Sequence, residues 1–596
     1  MMKLRELIKR VRGCKTIEEE RSVINKESAE MRSMKTSNDL IKCRNLAKCI
    51  FIHMLGFETN FIQMTCVNLL SSSNFTEKRI AYVALCVLMD EKCEVLLLTT
   101  STIKKDLESP NQYIKAIALN AIGEVCNPFM CRELGPEIIK LINDPNAYIK
   151  KKAALACLKV IRKCPEFIDS ISDKLSTFFE DKNHGVLICG LSLIIQVFKQ
   201  DESYIEKYRK YLKNMIRYLR NLIQTNYAPG YDINGVVDPF LQVKLLEVLT
   251  FFGQENEEAA EEMNDLLATI STNTDSSKPT GNAVLYELVR TIIKIKSNSG
   301  LKSLGSNILG KFLSHKDNNY KYIALNTLQE VAKTDINSVQ KHKTTILECL
   351  KDNDVSVKRR ALDLTYVIIN TSNIKVIVKE LLNFLLVAEN EFKLELTTKL
   401  TQSLEKYSPS IKWQIDTLIK MLTLSANYVS EESISSIINL VVSASELQIY
   451  AIHKLYIAME NNLGQEALVK VGIYLIGEFA LLLINNTAQG PDGEVIVVKE
   501  NNIIELIEEV NNRKYSNSTV KEFTLNCLVK LSTKLSNNSI NQIKNMIEGE
   551  RTSYYSEVQQ RAVEYSVFNS IDTDTKQKIA YNVPNMKNYG EDLSNK

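Results

Sequence analysis

Apolar and polar residues alternate at helical spacing along most of this chain, and the segment 144–163 shows the pattern most clearly. Its sequence is DPNAYIKKKAALACLKVIRK. Apolar residues recur at every third or fourth position from Ile149 to Ile161, and lysine side chains such as Lys150 fall on the opposite face. This periodicity predicts an amphipathic helix with one buried face. Pro145 is predicted in its first turn, where a missing N–H costs no hydrogen bond.

The same helix recurs along the chain at nearly constant intervals. A small residue followed by leucine marks each copy, at steps of 34, 36 and 36 residues and, further on, of 37 residues. Repeats of this length with two helices each are typical of HEAT and armadillo solenoids, because no single pair can bury its apolar face alone. The sequence therefore predicts an all-α protein, a HEAT/armadillo-like α-solenoid. The aligned pairs begin at Ala84, Ala118, Ala154, Gly190, Ala324 and Ala361, and turns that begin with aspartate lie at Asp144, Asp181, Asp317 and Asp352.

Breaks in the helical pattern divide the chain only locally. We expect one solenoid over residues 1–585 and a short C-terminal tail, 586–596. Three segments rich in glycine, proline or polar residues are predicted loops, at 227–239, 271–281 and 485–494. Scarce glycine (20) and proline (11) in 596 residues agree with a nearly all-helical chain with short connections.

Charge and cysteine usage exclude several classes of protein. Lysine and arginine number 74 against 71 acidic residues, so the net charge of +3 argues against broad nucleic-acid binding. The thirteen cysteines include no C-x-x-C pair, and many lie on apolar helix faces. They are interpreted as free thiols of a reducing compartment rather than as disulfides or zinc ligands.

The chain shows no clear membrane-spanning or secretory segment. Its N-terminus is charged throughout and does not have the pattern of a signal peptide. The most apolar stretch, 469–484, is interrupted by Lys470 and Glu478 and is shorter than the roughly 20 residues that a membrane helix needs. It is predicted to be a core helix, and any membrane contact is expected to be peripheral.

Catalytic and cofactor-binding patterns are missing from the sequence. The five histidines are scattered and none has metal-ligand spacing. Gly305 and Gly310-Lys311 have the spacing of a phosphate-binding loop, but Phe312 replaces the required Ser or Thr and the segment has a helical pattern. Trp413, the only tryptophan, lies within a helical pattern and is predicted to pack in the core. We therefore expect neither an enzyme nor a cofactor.

Several long strings of residues resemble one known family. They are similar to the trunk of gamma-adaptins, members of the adaptin large-subunit family, from the N-terminus to about residue 570. The resemblance implies a large subunit of a clathrin-associated adaptor complex that assembles with beta-adaptin, mu and sigma subunits. It also implies a location on the cytoplasmic face of the trans-Golgi network, endosomes and coated vesicles, and in the cytosol. The strings include RELIKRVRGCKTIEEER, KCRNLAKCIFIHMLGF, NFTEKRIAYVAL, AYIKKKAALACLKVIRKCPE, DPFLQVKLL and EVQQRAVEY.

The resemblance assigns a cargo-binding role to Arg12. In the family an N-terminal arginine neutralises the acidic residue of [DE]xxxL[LI] sorting signals, which bind at the junction with the sigma subunit. Arg12 occupies the matching position here. A guanidinium suits that role because its planar fork pairs with a carboxylate through two hydrogen bonds. The alternative is a solvated face shared with Arg5 and Lys9.

Two further sites follow from the same resemblance. Contacts with an Arf-type GTPase fall on Met64, Val67 and Leu98, and the alternative is that some of these three residues are simply repeat core. Binding of phosphatidylinositol 4-phosphate falls on a basic group near the start of a helix, which is otherwise a solvated face. That group consists of Lys42, Arg44 and Lys48.

Other functions stay open at this point. An alpha-type endocytic adaptor subunit shares some of the strings, and a nuclear transport receptor or phosphatase scaffold shares the repeat type. Transport receptors tend to be longer and markedly acidic, which a charge of +3 does not match. Family members usually continue through a hinge to a small β-sandwich ear, whereas this chain stops where the trunk stops. We therefore expect contact with clathrin to be only indirect.

Overall fold

The computed structural model describes residues 2–34, 38–224, 230–425, 427–489, 495–513, 515, 518–568 and 571. These residues are almost entirely helical, and the helices pack as successive neighbours along the chain, which confirms the α-solenoid. The chain divides into two compact units, Met1–Leu309 and Gly310–Lys596. The predicted tail, 586–596, lies outside the described residues.

The first unit consists of helices of mostly two to five turns, with a single β-hairpin in its described part. Its α-helices are α1 (Leu4–Arg12), α2 (Ile17–Ser33), α3 (Asp39–Met54), α4 (Gln63–Leu70), α5 (Phe75–Leu88), α6 (Thr100–Leu107), α7 (Gln112–Val125), α8 (Pro128–Lys140), α9 (Ala147–Lys163), α10 (Ile168–Ser172), α11 (Ser176–Phe179), α12 (His184–Gln200), α13 (Ser203–Tyr208), α14 (Leu212–Gln224), α15 (Pro239–Gly253), α16 (Glu257–Asn273), α17 (Pro279–Lys294) and α18 (Ser299–Leu313), the last of which contains the unit boundary. Its 3₁₀ helices are Asn60–Ile62, Glu94–Thr99, Leu141–Asn143, Pro165–Phe167 and Arg209–Tyr211, and its strands are β1 (Asp232–Ile233) and β2 (Val236–Val237).

The second unit has the same helical composition. Its α-helices are α19 (Asn318–Ala332), α20 (Ile336–Gln340), α21 (Lys343–Cys349), α22 (Val355–Ile368), α23 (Ile374–Val387), α24 (Asn390–Tyr407), α25 (Ile411–Leu424), α26 (Glu431–Ser443), α27 (Gln448–Asn461), α28 (Glu466–Asn485), α29 (Glu500–Asn512), α30 (Thr519–Ser532), α31 (Asn537–Gly549) and α32 (Ser556–Phe568). Its 3₁₀ helices are Ser445–Leu447 and Glu550–Thr552, and its strands are β3 (Ala488–Gln489) and β4 (Val495–Ile496).

Each clear repeat begins with an asparagine or aspartate helix cap, and the positions of these caps correct the sequence alignment. Seven residues after each cap lies a buried small side chain, where a neighbouring helix packs closely. The caps recur at steps of 37, 35 and 37 residues and, in the second unit, of 37. The predicted alignment placed the small residue one turn too late at Ala84, where the cap selects Ala81. It was also one residue too late at Ala154, where the leucine that follows, Leu155, is exposed. The caps are Asn74, Asn111, Asn146, Asn183, Asp317 and Asp354, and the small residues are Ala81, Ala118, Ala153, Gly190, Ala324 and Ala361.

The turn before helix α9 also differs from the prediction. Asn146 caps the helix, since its side chain accepts a hydrogen bond from the backbone N–H of Tyr148 at 2.9 Å. Pro145 therefore precedes the helix instead of lying in its first turn. The side chain of Asp144 accepts the N–H of Asn146 at 2.8 Å, so the aspartate shapes the turn and the asparagine starts the helix.

Two aspartates of these turns also join one repeat to the next. Asp181 accepts the N–H of Asn183 at 2.9 Å with one carboxylate oxygen and the ammonium of Lys150 at 2.7 Å with the other. In the same way, a carboxylate oxygen of Asp352 accepts a hydrogen bond from the ammonium of Lys321 at 2.6 Å. Each lysine lies four residues after the cap of the preceding repeat. We call these two ion pairs the junction pairs. Lys150, predicted to point into solvent, is instead a structural partner.

The junction pairs make the stability of the fold depend on pH. Desolvation raises the pKa of Asp181, but the ammonium of Lys150 and backbone N–H groups outweigh it and hold that pKa below its ordinary 3.8. Because the folded-state pKa is lower than the unfolded-state pKa, the charged carboxylate raises the free energy of unfolding above pH 3.8. This contribution is lost as pH falls through the folded-state pKa. We expect Asp181→Asn to weaken helices α9 and α12 by about 1 kcal/mol at pH 7. Amide hydrogen exchange of these two helices in the full chain measures the change.

The same exchange experiment has an internal check. The difference between Asp181→Asn and the unmodified chain should begin to shrink below pH 3.8 and be lost once pH falls below the lowered folded-state pKa, because both proteins then carry a neutral side chain. Asp173→Asn is the matched control, since Asp173 forms an exposed ion pair with Lys207 at 3.3 Å and such pairs contribute little. An equal effect of both substitutions at pH 7 would show that the junction pair has no special weight.

The predicted loop at 227–239 contains a β-hairpin. Strands β1 and β2 pair in antiparallel register, with Asp232 opposite Val237, and the first three residues of the segment lie outside the described residues. Asp238 adopts a left-handed conformation (φ +41°) and caps α15. Its second carboxylate oxygen lies 2.7 Å from Nδ1 of His184. The segment is thus fixed against α12 rather than being a free surface insertion.

The predicted loop at 271–281 is shorter than expected. Helix α16 continues to Asn273 and α17 begins at Pro279, so only five residues connect them. Gly281 lies in the first turn of α17, where an added Cβ would come within 2.0 Å of the backbone oxygen of Asp275. The loop can fold back this tightly because glycine leaves that space empty.

Helix α28 contains the most apolar stretch, 469–484. It is long and apolar enough to cross a membrane by those two criteria, but 67% of its most apolar window is buried inside the protein. Lys470 is buried there and forms an ion pair with Glu431 at 2.7 Å. These contacts support its interpretation as a core helix. After it, β3 pairs with β4 across the predicted loop at 485–494, of which residues 490–494 lie outside the described residues.

Candidate functional site

Helix α1 presents a stripe of three cations. Leu7 and Val11 are buried and fix the orientation of the helix, which leaves Arg5, Lys9 and Arg12 exposed. These three positions are separated by four and three residues and therefore share one face. Among the described residues, no carboxylate forms an ion pair with any of them. Arg12, the last residue of the helix, also interacts favourably with the negative end of the helix dipole.

The basic group predicted on α3 is divided by the structure. Lys42 is half-buried and pairs with Asp39 at 2.8 Å, near the N-terminus of the helix. Arg44 is exposed, and within the described chain no ion pair holds its guanidinium. Lys48 is only 1% exposed. The expected cluster of three lipid-facing cations therefore does not form on this surface, and only Lys42 and Arg44 are accessible.

Lys48 instead forms a buried ion pair with Glu27 of helix α2. Both side chains are 1% exposed, and the ammonium donates a short hydrogen bond to Oε1 of the glutamate. Helices α2 and α3 enclose the pair between Ile24, Met31 and Cys49 on their buried faces. Two charges withdrawn from water in this way stabilise one relative position of the helices only while both are present.

A second buried charge network lies in the next repeats. The ammonium of Lys78 on α5 donates to both carboxylate oxygens of Asp106 on α6, at 2.6 and 2.7 Å. The hydroxyl of Tyr82 donates to the same carboxylate at 2.7 Å. Burial, and then the adjacent carboxylate, raise the pKa of Tyr82 far above its ordinary value, so the phenol remains a donor at every working pH. Sequence reasoning assigned no role to these three residues.

Apolar side chains are exposed where the GTPase contact was predicted. Met64 lies on α4 and is 52% exposed, and Leu98 lies on the 3₁₀ helix Glu94–Thr99 and is 56% exposed. Val67, one turn beyond Met64, is half-buried. The two elements pack against each other. Met64 and Leu98 therefore belong to the surface rather than to the repeat core, and Val67 is partly accessible. Further exposed apolar side chains on these and neighbouring elements are Met54, Val83, Val87 and Leu97.

An open groove of about 560 Å³ borders this apolar surface. It contains apolar and polar side chains from α3, α4, α5 and the following turn. One of its lining residues, Gln63, directly precedes Met64 at the start of α4. The groove offers recessed space beside protruding apolar side chains, as a protein-binding surface does. Its lining residues are His53, Asn60, Gln63, Val87, Leu88, Met89, Asp90, Lys92 and Cys93.

The segment with phosphate-loop spacing lies inside a helix. Gly305 and Lys311 both belong to α18, so they form no loop that could surround a phosphate. Among the described residues, no group of three or more histidine, cysteine or acidic side chains is arranged to hold a metal ion. All thirteen cysteines are free thiols, most of them buried.

Comparison with known proteins identifies the family. The family model described as "Adaptin N terminal region" matches residues 20–572. The chain is 45% identical over 586 residues to AP-1 complex subunit gamma of Dictyostelium discoideum, covering 98% of this chain and 65% of that protein. It is 41% identical to AP-1 complex subunit gamma-1 of Mycosarcoma maydis, covering 94% of this chain and 65% of that protein. The chain thus spans slightly less than two thirds of the length of these two relatives.

A structural comparison gives the same fold. A chain of a homology model of the full-length AP-3 complex in an intermediate open conformation superposes with a TM-score of 0.53. The match covers 91% of this chain and 96% of that one, at 19% sequence identity. Such a likeness shows the shared helical solenoid alone. Together with the family match over most of the sequence, these findings establish that the chain belongs to the adaptin family, by its N-terminal region.

Proposed function

We propose that this chain is the gamma-type large subunit of a clathrin-associated adaptor complex. In this role it is a non-enzymatic scaffold that holds beta-adaptin, mu and sigma subunits and selects cargo. It acts between the trans-Golgi network and endosomes, on the cytoplasmic face of their membranes and on coated vesicles, and exchanges with the cytosol. The carrying observation is 45% identity, along 98% of the chain, to a protein named AP-1 complex subunit gamma.

Affinity purification of the full chain from its own cells tests this proposal. Three further proteins of distinct sizes should co-purify in stoichiometric amounts, and mass spectrometry should identify them as beta-, mu- and sigma-type adaptor subunits. Isolation of the chain as a lone monomer, or with a Ran-type GTPase and no other subunit, would contradict it.

The proposed cargo site is the exposed stripe of α1. Arg12 would pair with the acidic residue of a [DE]xxxL[LI] signal, together with the sigma subunit. Its support is that Arg12 is exposed beside Arg5 and Lys9 and, among the described residues, has no carboxylate partner. An unpaired guanidinium can accept an incoming carboxylate without first breaking an internal ion pair.

The proposed membrane-recruitment surface combines an apolar and a basic part. Met64, Val67 and Leu98 would contact an activated Arf-type GTPase, and Lys42 with Arg44 would contact phosphatidylinositol 4-phosphate. Exposed apolar side chains can act as anchors for a protein partner. Each accessible cation near an anionic membrane contributes about 1 kcal/mol, so the lipid contact assists recruitment and does not replace the GTPase.

Recruitment to vesicles should depend strongly on Leu98. We expect Leu98→Glu in the assembled complex to reduce GTPase-dependent binding to vesicles at least tenfold, because a charge replaces an apolar anchor. Co-sedimentation with vesicles that carry phosphatidylinositol 4-phosphate and an activated Arf-type GTPase measures this loss. Ile336→Glu is the control, as Ile336 is also an exposed apolar residue but lies in the second unit. Equal losses for both variants would remove Leu98 from the proposed contact.

A further inference from the structure

Helices α23 and α25 of the second unit border an open groove of about 530 Å³. On each helix four of the lining residues follow one another at intervals of four, three and four, which places them on a single face. The groove thus follows twelve residues of each helix, which span roughly 16 Å at 1.5 Å per residue step. The residues at these intervals are Lys375, Lys379, Leu382 and Leu386 on α23, and Trp413, Thr417, Lys420 and Leu424 on α25.

The groove combines an apolar surface with cations. Leu386 is 60% exposed, and Leu382, Leu424 and Trp413 are half-buried in its walls. Trp413 was predicted to pack in the core, and this prediction was wrong, because the indole borders the groove. Exposed large apolar side chains that line a concave surface are typical of binding sites rather than of free surface.

The cations of the groove are not neutralised by ion pairs within the described residues. Lys375, Lys379 and Lys420 are exposed, and among the described residues none of the three forms an ion pair. No carboxylate belongs to the described residues that line the groove. The groove is therefore positively charged along an apolar surface.

The acidic residues of the same two helices form ion pairs elsewhere. Glu380 on α23 pairs with Lys351 at 3.4 Å. Asp416 on α25 accepts the hydroxyl of Tyr450 on α27 at 2.7 Å and also pairs with Lys454. Neither carboxylate lines the groove, so the fold leaves the three lysines available to an external anion.

We propose that this groove binds one amphipathic helix of a partner protein, with acidic side chains beside leucine-like or phenylalanine-like ones. Two packed helices form a channel in which the ridge of a third helix can lie, anchored by residues at i, i+3 or i+4, and i+7. Charge complementarity selects an acidic helix over a basic one. The proposal stands independently of the adaptor function, because it uses only the surface of α23 and α25.

The groove contains its own spectroscopic reporter. Trp413 is the only tryptophan in the chain, so the intrinsic indole fluorescence of the unmodified protein comes from this one position. An apolar side chain that docks beside the half-buried indole removes water from it. Binding should therefore shift the emission of Trp413 to shorter wavelength without any label.

The experiment titrates the full chain with a helical 18-residue peptide free of tryptophan. The peptide carries leucines at i, i+4, i+7 and i+11 and glutamates on both flanks. We expect a saturable blue shift, and at least tenfold weaker binding by the same peptide with lysine in place of glutamate. The double variant Lys379→Glu/Lys420→Glu should weaken binding of the acidic peptide at least tenfold. Both lysines are exposed, so the free variant should keep the unmodified far-ultraviolet circular dichroism and emission.

Lys333→Glu is the matched control, because Lys333 is an exposed lysine of the same unit that does not line the groove. It should leave the titration unchanged. Absence of a shift with the acidic peptide, or equal binding of the acidic and basic peptides, would overturn the proposal. A blue shift with phosphatidylserine vesicles but none with the peptide would also overturn it and identify the groove as a membrane-contacting face.

Discussion

Replacement of Lys48 by methionine is expected to increase amide hydrogen exchange in helices α2 and α3 by about two to four orders of magnitude. The substitution leaves Glu27 buried without its counter-charge, because both side chains are 1% exposed. Breaking a buried pair by removing one partner costs about 3–5 kcal/mol. Hydrogen exchange measured by mass spectrometry on the full chain reports on these two helices locally. A single melting temperature is less suitable, because the chain has two compact units that need not unfold together.

Two further variants separate the pair from a general effect of substitution. The double variant Lys48→Met/Glu27→Leu should regain most of the protection, because apolar side chains of similar volume often replace a buried pair at little cost. Lys42→Met on the same helix should change exchange by less than tenfold, since its pair with Asp39 is partly exposed. Unchanged exchange in Lys48→Met would refute the structural role of the pair.

Arg12→Glu in the assembled complex is expected to weaken binding of an acidic-dileucine peptide about 10- to 100-fold. This expectation rests on the proposed function. The substitution removes a charge-assisted hydrogen bond, which contributes about 1.5–3 kcal/mol, and adds repulsion from a like charge. Fluorescence polarisation with a labelled sorting-signal peptide measures the affinity. Arg12→Lys should bind the peptide with an affinity between those of Arg12→Glu and the unmodified complex, because an ammonium keeps the charge but not the bidentate fork.

Arg10→Glu provides the control for this measurement. Arg10 is also exposed in the last turn of α1, so both variants disturb the helix dipole alike, but it lies on a different face from Arg12. Its affinity should stay close to that of the unmodified complex. A peptide with a neutral residue in place of the acidic one should bind Arg12→Glu and the unmodified complex equally. Persistence of the Arg12 effect with that neutral peptide would exclude direct pairing.

Helical periodicity was sufficient to predict the fold, but it did not determine the register of the repeats. The buried stripes of α5 and α9 each contain several small residues one turn apart or adjacent in sequence. Aligning the repeats on either small residue keeps the same helical face, so Ala84 and Ala154 fitted the repeat pattern as well as Ala81 and Ala153. The asparagine caps fix the register, because a cap hydrogen bond can form only at the first turn of a helix.

The side chains of the candidate site were less predictable. Lys48 shares a helical face with apolar Ile52, four residues later, but also with polar Asn45, three residues earlier, so the hydrophobic pattern did not settle its burial. Its charge pointed to solvent, and no sequence rule pairs it with Glu27, 21 residues earlier. Trp413 illustrates the same limit, because only the position of α23 decides whether its indole is covered.

The junction pairs determine where the solenoid can be divided. Lys150 belongs to one repeat and Asp181 to the turn that opens the next, so a fragment that stops between them loses the counter-charge of its last repeat. A fragment that continues past the cap at Asn183 keeps both the ion pair and the turn. Because one repeat alone cannot bury its apolar face, a stable fragment needs several repeats. Its C-terminal boundary should lie after the opening turn of the repeat that follows the last one it contains.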